Sequence, residues 1–455
     1  MQPAVKRGLA MSTTACMMPA MQRTGRLLLA LVATLFVTAL LSGSAGTPVA
    51  SGELTGGTPA IDGPPAGTPI STWPMWGFNE ARTRVGPAIG LPAGSTPAEA
   101  VWTAESDEYH SLLEYPPSIA YGMLYYCTNG ADHGGEVVAL ELTTGEVMWR
   151  FRVRGQFASQ PAVCNGTVYV GSMPEKPRFH GPKGVPKLLA LRAQPADPSK
   201  GELQLLASRK VVSAIESSPL VVGSRVYFCT QGGRNPTVNG RVYCVDGATL
   251  RVKWCRRLRA KTTSSPAYSG GRLFVSTYRG VVWAFDPVRG RVLWKAQPGG
   301  DFYGTPAVYG KRLIVASKST GRVFCLAARS GKTVWWRKTK QGIYASPAVW
   351  HNTIFIGSRK VRHHRVIGGS FWAIDARNGA LVWRKQYARP VYGSASVLGG
   401  VVYFSHTGHR TFGLDARTGK QLWSFPDGRY SPVTATSDMI IVTGRCTLYA
   451  FPPQQ

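Results

Sequence analysis

The chain has 455 residues, more than one ordinary domain, and its 53 Lys and Arg outnumber 23 Asp and Glu to leave a net charge of +30. In an exported chain this balance excludes nucleic acid as the expected counterpart. It points to anionic envelope polymers, lipid head groups or acidic proteins, set against the plainer reading that the charge serves solubility alone.

Export is read from the N-terminus. Lys6, Arg7, Arg23 and Arg26 precede an unbroken apolar run over residues 27–41, which is short for a spanning helix and suits a signal peptide. Gly43, Ser44 and Ala45 supply small residues for cleavage, with an uncleaved membrane anchor as the alternative. Residues 1–45 are therefore assigned to a signal peptide or N-terminal membrane anchor. Residues 46–71, rich in Gly, Ser, Thr and Pro, are assigned to a flexible linker. Residues 72–455 form one repeat domain, on which Trp73, Trp76 and Phe78 are expected to pack as a cap. Cys16 precedes the apolar run, so it is not placed as a lipoprotein cysteine.

Within residues 265–294 four short runs of β-branched and aromatic residues are separated by Gly270-Gly271 and Arg289-Gly290, which reads as one antiparallel sheet of four strands, A to D. Such a unit needs copies on both sides to bury its faces. Trp149, Trp254, Trp335, Trp383 and Trp423 repeat the slot of Trp294, with Leu205 as a degenerate member. The A strand recurs at Pro117, Pro161, Pro219, Pro266, Pro306, Pro347, Ala395 and Pro432. Seven D strands follow these eight A strands, so residues 98–102 (AEAVW) are predicted to supply the missing strand and close the last unit. The fold expected is all-β, an eight-bladed β-propeller.

The segments AIDARNGALVW (373–383) and GLDARTGKQLW (413–423) resemble the pyrroloquinoline-quinone (PQQ) repeat. The resemblance covers roughly residues 72 to 455 and implies the eight-bladed propeller. The family includes quinoprotein dehydrogenases, which hold PQQ against a disulfide of adjacent cysteines with Ca²⁺ beside it. It also includes cofactor-free, outer-membrane-assembly-factor-like (BamB-like) propellers. This chain has no adjacent-cysteine pair, so it resembles the second group more closely. The resemblance therefore implies a non-catalytic binding module without a cofactor, and the chain is expected to be monomeric. A PQQ- and Ca²⁺-dependent dehydrogenase-like oxidoreductase is the alternative.

In a propeller the D–A and B–C loops share the face around the channel mouth. Arg256, Arg257, Arg259, Arg337, Lys338, Arg359, Lys360 and Arg362 are sorted onto that face, and the turn-forming Asp246, Asp286, Asp375 and Asp415 onto the other. The column three residues before each A-strand Pro is expected to line the mouth. It reads Glu114, Ala158, Glu216, Thr263, Tyr303, Tyr344, Tyr392 and Arg429, an aromatic arc opposite two carboxylates. The plain alternative is a water-filled channel. His363, His364, His406 and His409, in adjacent B–C loops, are a weak metal candidate amid opposing Arg. Seven cysteines follow Cys16. Cys229 and Cys244, on strands B and C of one blade, are either a cross-strand disulfide or two small core residues.

Overall fold

The short apolar runs, each stopped by Gly, Asp or Pro, fold as strands and hairpins. The computed structural model describes residues 75, 77–91, 95–105, 115–130, 134–153, 155–174, 185–194, 204–232, 239–428, 430 and 433–453. The signal segment, the linker, Trp73, Trp76, Glu114 and Arg429 lie outside them.

Eight antiparallel sheets follow in order: blade 1 (118–153), blade 2 (156–210), blade 3 (220–257), blade 4 (267–296), blade 5 (307–338), blade 6 (348–387), blade 7 (396–425) and blade 8 (433–451 with 102–105). The chain is an eight-bladed β-propeller of four-stranded blades. Blade 2 carries an extra two-residue strand, Gln156–Phe157, paired to strand B.

An N-terminal strand closes the ring, with Trp102 opposite Ala450 and Glu105 opposite Thr447. It is shifted from the predicted residues 98–102. Thr96 and Pro97 start a single turn of 3-10 helix, Pro97–Glu99, and the strand runs from Trp102 to Glu105. Apolar residues of blades 8 and 1, among them Leu448, Ile441, Ile119 and Leu124, share one cluster with Trp102 across the closure.

Each Trp of the repeated slot stands opposite a small residue of strand C, as Trp294 opposes Ala284 and Trp383 opposes Ala373. The rings of Trp102, Trp254, Trp294, Trp335 and Trp383 lie on the Gly of the next blade's C–D turn. A Cβ on Gly331 would meet Trp294 at 2.5 Å, and one on Gly145 would meet Trp102 at 2.6 Å. Trp102, Trp254, Trp294, Trp335 and Trp383 also donate their indole N–H to a carbonyl of that turn, at 2.9–3.1 Å.

In blade 2 the slot belongs to Ala207, opposite Ala190, and not to Leu205, which opposes Leu191. Leu250, in the Gly column of blade 3, adopts φ +52° and is fully buried in the cluster that Ala207 joins. A small residue in the Trp slot therefore faces a large one in the Gly slot.

Cys229 and Cys244 are not bonded. Cys229 opposes Val242 and Cys244 opposes Tyr227, so the two are diagonal rather than facing, beyond ordinary disulfide reach, and both thiols are buried and free.

Residues 77–91 cross the channel at the end away from the mouth. The carbonyls of Glu80, Ala81, Thr83 and Arg84 accept from the middle residues of four successive A strands, Tyr268, Val308, Val349 and Val397, at 2.8–3.0 Å. Arg82 and Arg84 are each 1% exposed. Arg82 donates to the carbonyls of Pro266 at 2.9 Å and Pro219 at 3.2 Å. Arg84 donates to those of Ala395 and Ser394. These carbonyl bonds offset the cost of burying two guanidiniums. Phe78, of the predicted cap, packs against the cluster holding Trp102.

Candidate functional site

Away from the plug formed by residues 77–91, toward the D–A loop face, lie the residues that lead into the A strands. A cavity of about 380 Å³ is lined there by Glu216, Thr263, Tyr303, Tyr344, Tyr392 and Arg359, among others. The column predicted from the sequence thus meets at the mouth in five of its positions. Ala158 is buried and is not among the lining residues, while Glu114 and Arg429 lie outside the described residues.

The three tyrosines form one continuous arc. Ring centroids lie 5.3 Å apart between Tyr303 and Tyr344 and 5.2 Å apart between Tyr344 and Tyr392. Tyr278, which the sequence did not mark, extends the arc by stacking on Tyr303 at 5.6 Å. The Arg359 guanidinium and the Lys318 ammonium sit 4.7 and 5.3 Å from the Tyr344 centroid, so this ring orients two cations at the rim. Tyr303, 39% exposed, keeps more open ring surface. Tyr115 and Tyr430 also line the cavity.

Below the arc runs a belt of hydroxyls. The backbone N–H of Gln160 donates to Ser218 Oγ, that of Ser218 to Ser265 Oγ, that of Ser265 to Thr305 Oγ1, that of Thr305 to Ser346 Oγ and that of Ser346 to Ser394 Oγ, all at 2.8–3.1 Å. Each residue stands immediately before the A-strand Pro or its substitute Ala395, so the signal was in the sequence.

The basic face resolves into parts. Arg256 and Arg337 lie on strand D, two residues after the Trp, and so point at the next blade. Arg256 donates to the carbonyls of Gly290 and Arg289, and Arg337 to that of Gly379. Both therefore clamp neighbouring blades. Arg257, Arg259, Lys338, Lys360 and Arg362 are exposed. The opposite face is not purely acidic, since Arg289, Arg329, Lys332 and Arg417 are exposed in its C–D turns. The turn Asp act as predicted, with Asp286 and Asp415 accepting from backbone N–H groups two and three residues on. The side chain of Arg377 holds the Asp375 carboxyl below its ordinary range.

Blade 6 differs from the others at the mouth face. Its B and C strands, Thr353–Arg362 and Arg365–Asp375, extend as one hairpin. The tip is His363-His364, both with positive φ. Residues 360–367 are all exposed, with Val361, Val366 and Ile367 at 46, 43 and 44%. His406 instead lies edge-on against Phe412 and Tyr387, and burial lowers its pKa. Among the described residues no group of three or more His, Cys, Asp or Glu is arranged to hold a metal. The described lining of the mouth does not fit a Ca²⁺ ion. Glu216 is the lining carboxylate among the described residues, Arg359 is a lining cation, and Ca²⁺ requires a cage of oxygen ligands.

The comparisons agree with this fold. The chain is 24% identical over 236 residues to the outer membrane protein assembly factor BamB of Burkholderia pseudomallei (strain K96243), covering 50% of this chain and 59% of that one. It thus spans about 59% of that curated relative's length. Among solved structures, BamB from Moraxella catarrhalis superposes with a TM-score of 0.60 at 14% identity, covering 80% of this chain and 100% of that one. A quinohemoprotein alcohol dehydrogenase from Comamonas testosteroni superposes with a TM-score of 0.65 at 15% identity, covering 84% and 80%. At these identities the superpositions speak to the fold alone. The family described as outer membrane protein assembly factor BamB matches residues 96–185, 238–320 and 319–452, more than half of the chain, and the chain belongs to that family.

Proposed function

We propose that the protein is an exported, non-catalytic and monomeric binding propeller that docks on an anionic partner of the cell envelope, either an acidic protein or an anionic polymer or lipid surface. The mouth face makes the contact. The observation that carries this reading is the blade 6 hairpin, which puts Lys360, Arg362 and Arg365 beside exposed Val361, Val366 and Ile367. Exposed cations next to exposed apolar side chains suit an interface rather than simple solvation. Arg257, Arg259 and Lys338 extend the charge over the D–A loops, and the arc of Tyr303, Tyr344 and Tyr392 at the centre gives the face selectivity. Membership in a family described as an outer membrane assembly factor supports an envelope setting.

The test is retention on anionic and on zwitterionic vesicles across a salt series. Retention on the anionic vesicles should fall steeply with salt, because the Debye length shrinks from ~10 Å at 0.1 M to ~3 Å at 1 M. Equal retention on both vesicle types, or retention indifferent to salt, contradicts the reading.

A further inference from the structure

The mouth cavity has a chemistry that surface docking does not use. Its belt residues Ser218, Ser265, Thr305, Ser346 and Ser394 are buried yet line the cavity. Each hydroxyl oxygen already accepts a backbone N–H from another blade or, for Ser218, from Gln160 of blade 2. Its own hydrogen is left to donate, and none of the five donates to an acceptor among the described residues. The belt therefore presents an arc of donors from five adjacent blades, which calls for an acceptor-rich ligand.

One further feature shares that sense. At the rim, the Nε–H of Arg359 is buried and meets no acceptor among the described residues, while its guanidinium is held over Tyr344. Beneath the belt, Arg84 donates to the carbonyl of Ser394, itself a belt member, and Arg82 to the carbonyls that follow Ser218 and Ser265. Neither guanidinium lines the cavity; both are buried behind the A strands that carry the belt, with Glu80 beside Arg82.

The cavity is not uniformly positive. Glu216 lines it on the blade 3 side, three blades round from Arg359 on blade 6. A bare anion is disfavoured beside Glu216, whereas a ligand with hydroxyls on one side and a carboxylate on the other sets a complementary group against each wall. The open ring of Tyr303 offers an apolar face for the C–H side of such a ligand. A cavity of about 380 Å³ lies in the ordinary range for small-molecule sites and takes one ring with its substituents.

We propose that the mouth cavity binds one carboxylated sugar ring, with the carboxylate at Arg359, ring hydroxyls at Glu216 and the hydroxyl belt, and the ring against Tyr303. The site is independent of the docking reading, because a monosaccharide cannot bridge to a surface.

The experiment is calorimetric titration of the full chain with D-glucuronate, D-glucose, acetate and inorganic phosphate, at a salt concentration that abolishes vesicle retention. Glucuronate should bind at least about tenfold more tightly than glucose or acetate, since the carboxylate adds a charge-assisted bond and the ring adds contact. Arg359→Gln should weaken glucuronate by about tenfold and leave weak glucose binding unchanged, whereas Tyr303→Ala should weaken both sugars. Thermal unfolding of both variants checks that they fold. Glucuronate no tighter than glucose and acetate overturns the proposal, as does binding unchanged in both variants. Phosphate binding as tightly as glucuronate would mark a simple anion hole and overturn it too.

Discussion

The outer and inner rims of the ring are built from the same repeat but vary in opposite ways. At the outer rim Trp254, Trp294, Trp335 and Trp383 each lie on a Gly of the next blade and donate to a carbonyl of its turn. At the inner rim the mouth column changes from blade to blade through Ala158, Glu216, Thr263 and then three Tyr. A slot whose neighbour is another copy of the repeat must keep a complementary shape. A slot facing an open cavity has no such partner and is free to acquire chemistry. The blade 2–3 junction refines the rule, since Ala207 and Leu250 invert the Trp–Gly pair. What the outer rim keeps is complementarity of size, not residue identity.

The largest effect that sharpens this contrast is expected at a regular junction. Trp294→Ala should lower stability by about 3–5 kcal/mol, read by denaturant unfolding, because a large packed ring and its indole hydrogen bond are both lost. A near-neutral result would place the repeated Trp outside the blade interface. The inverted junction gives a smaller and more selective effect. Ala207→Trp overpacks against Leu250 and should cost about 1–3 kcal/mol. Leu250→Gly rebuilds the regular pair, so the double variant should recover much of that loss, with a coupling of about 0.5–3 kcal/mol. Strict additivity would mean that the two side chains do not meet.

The ring was legible in the sequence because its punctuation recurs. The A-strand Pro, the turn Asp and Gly and the slot Trp fixed eight blades and a strand borrowed from the N-terminal side. The slot in blade 2 was misplaced because Leu205 looks like the nearest substitute for Trp, while the true occupant is defined by its partner Leu250, 43 residues on if counted from Ala207. Arg256 and Arg337 were read as loop charges because strand D runs past the Trp, and their parity turns them toward the next blade. Of the plug, only the cap residue Phe78 was legible. Arg82 and Arg84 bond to backbone carbonyls 137 to 311 residues away, which no local pattern encodes. The hydroxyl belt was readable, as Ser or Thr before the A-strand Pro in blades 3 to 6, but its role appears only when the blades are closed into a ring.

The central claim is that binding belongs to the mouth face and is separable from the packing that holds the ring. It is tested most directly by two charge reversals of equal size. Arg362→Glu with Arg365→Glu changes the hairpin tip, where the two residues face each other, and Arg329→Glu with Lys332→Glu changes exposed positions of a turn on the opposite face. Both double variants should unfold close to the parent, because exposed charges contribute ~0–1 kcal/mol each. Retention on anionic vesicles at low salt should drop about tenfold for the hairpin variant and change little for the other. Equal losses would mean that net charge alone drives retention, and retention of the hairpin variant at the parent's level would contradict the assignment of this face.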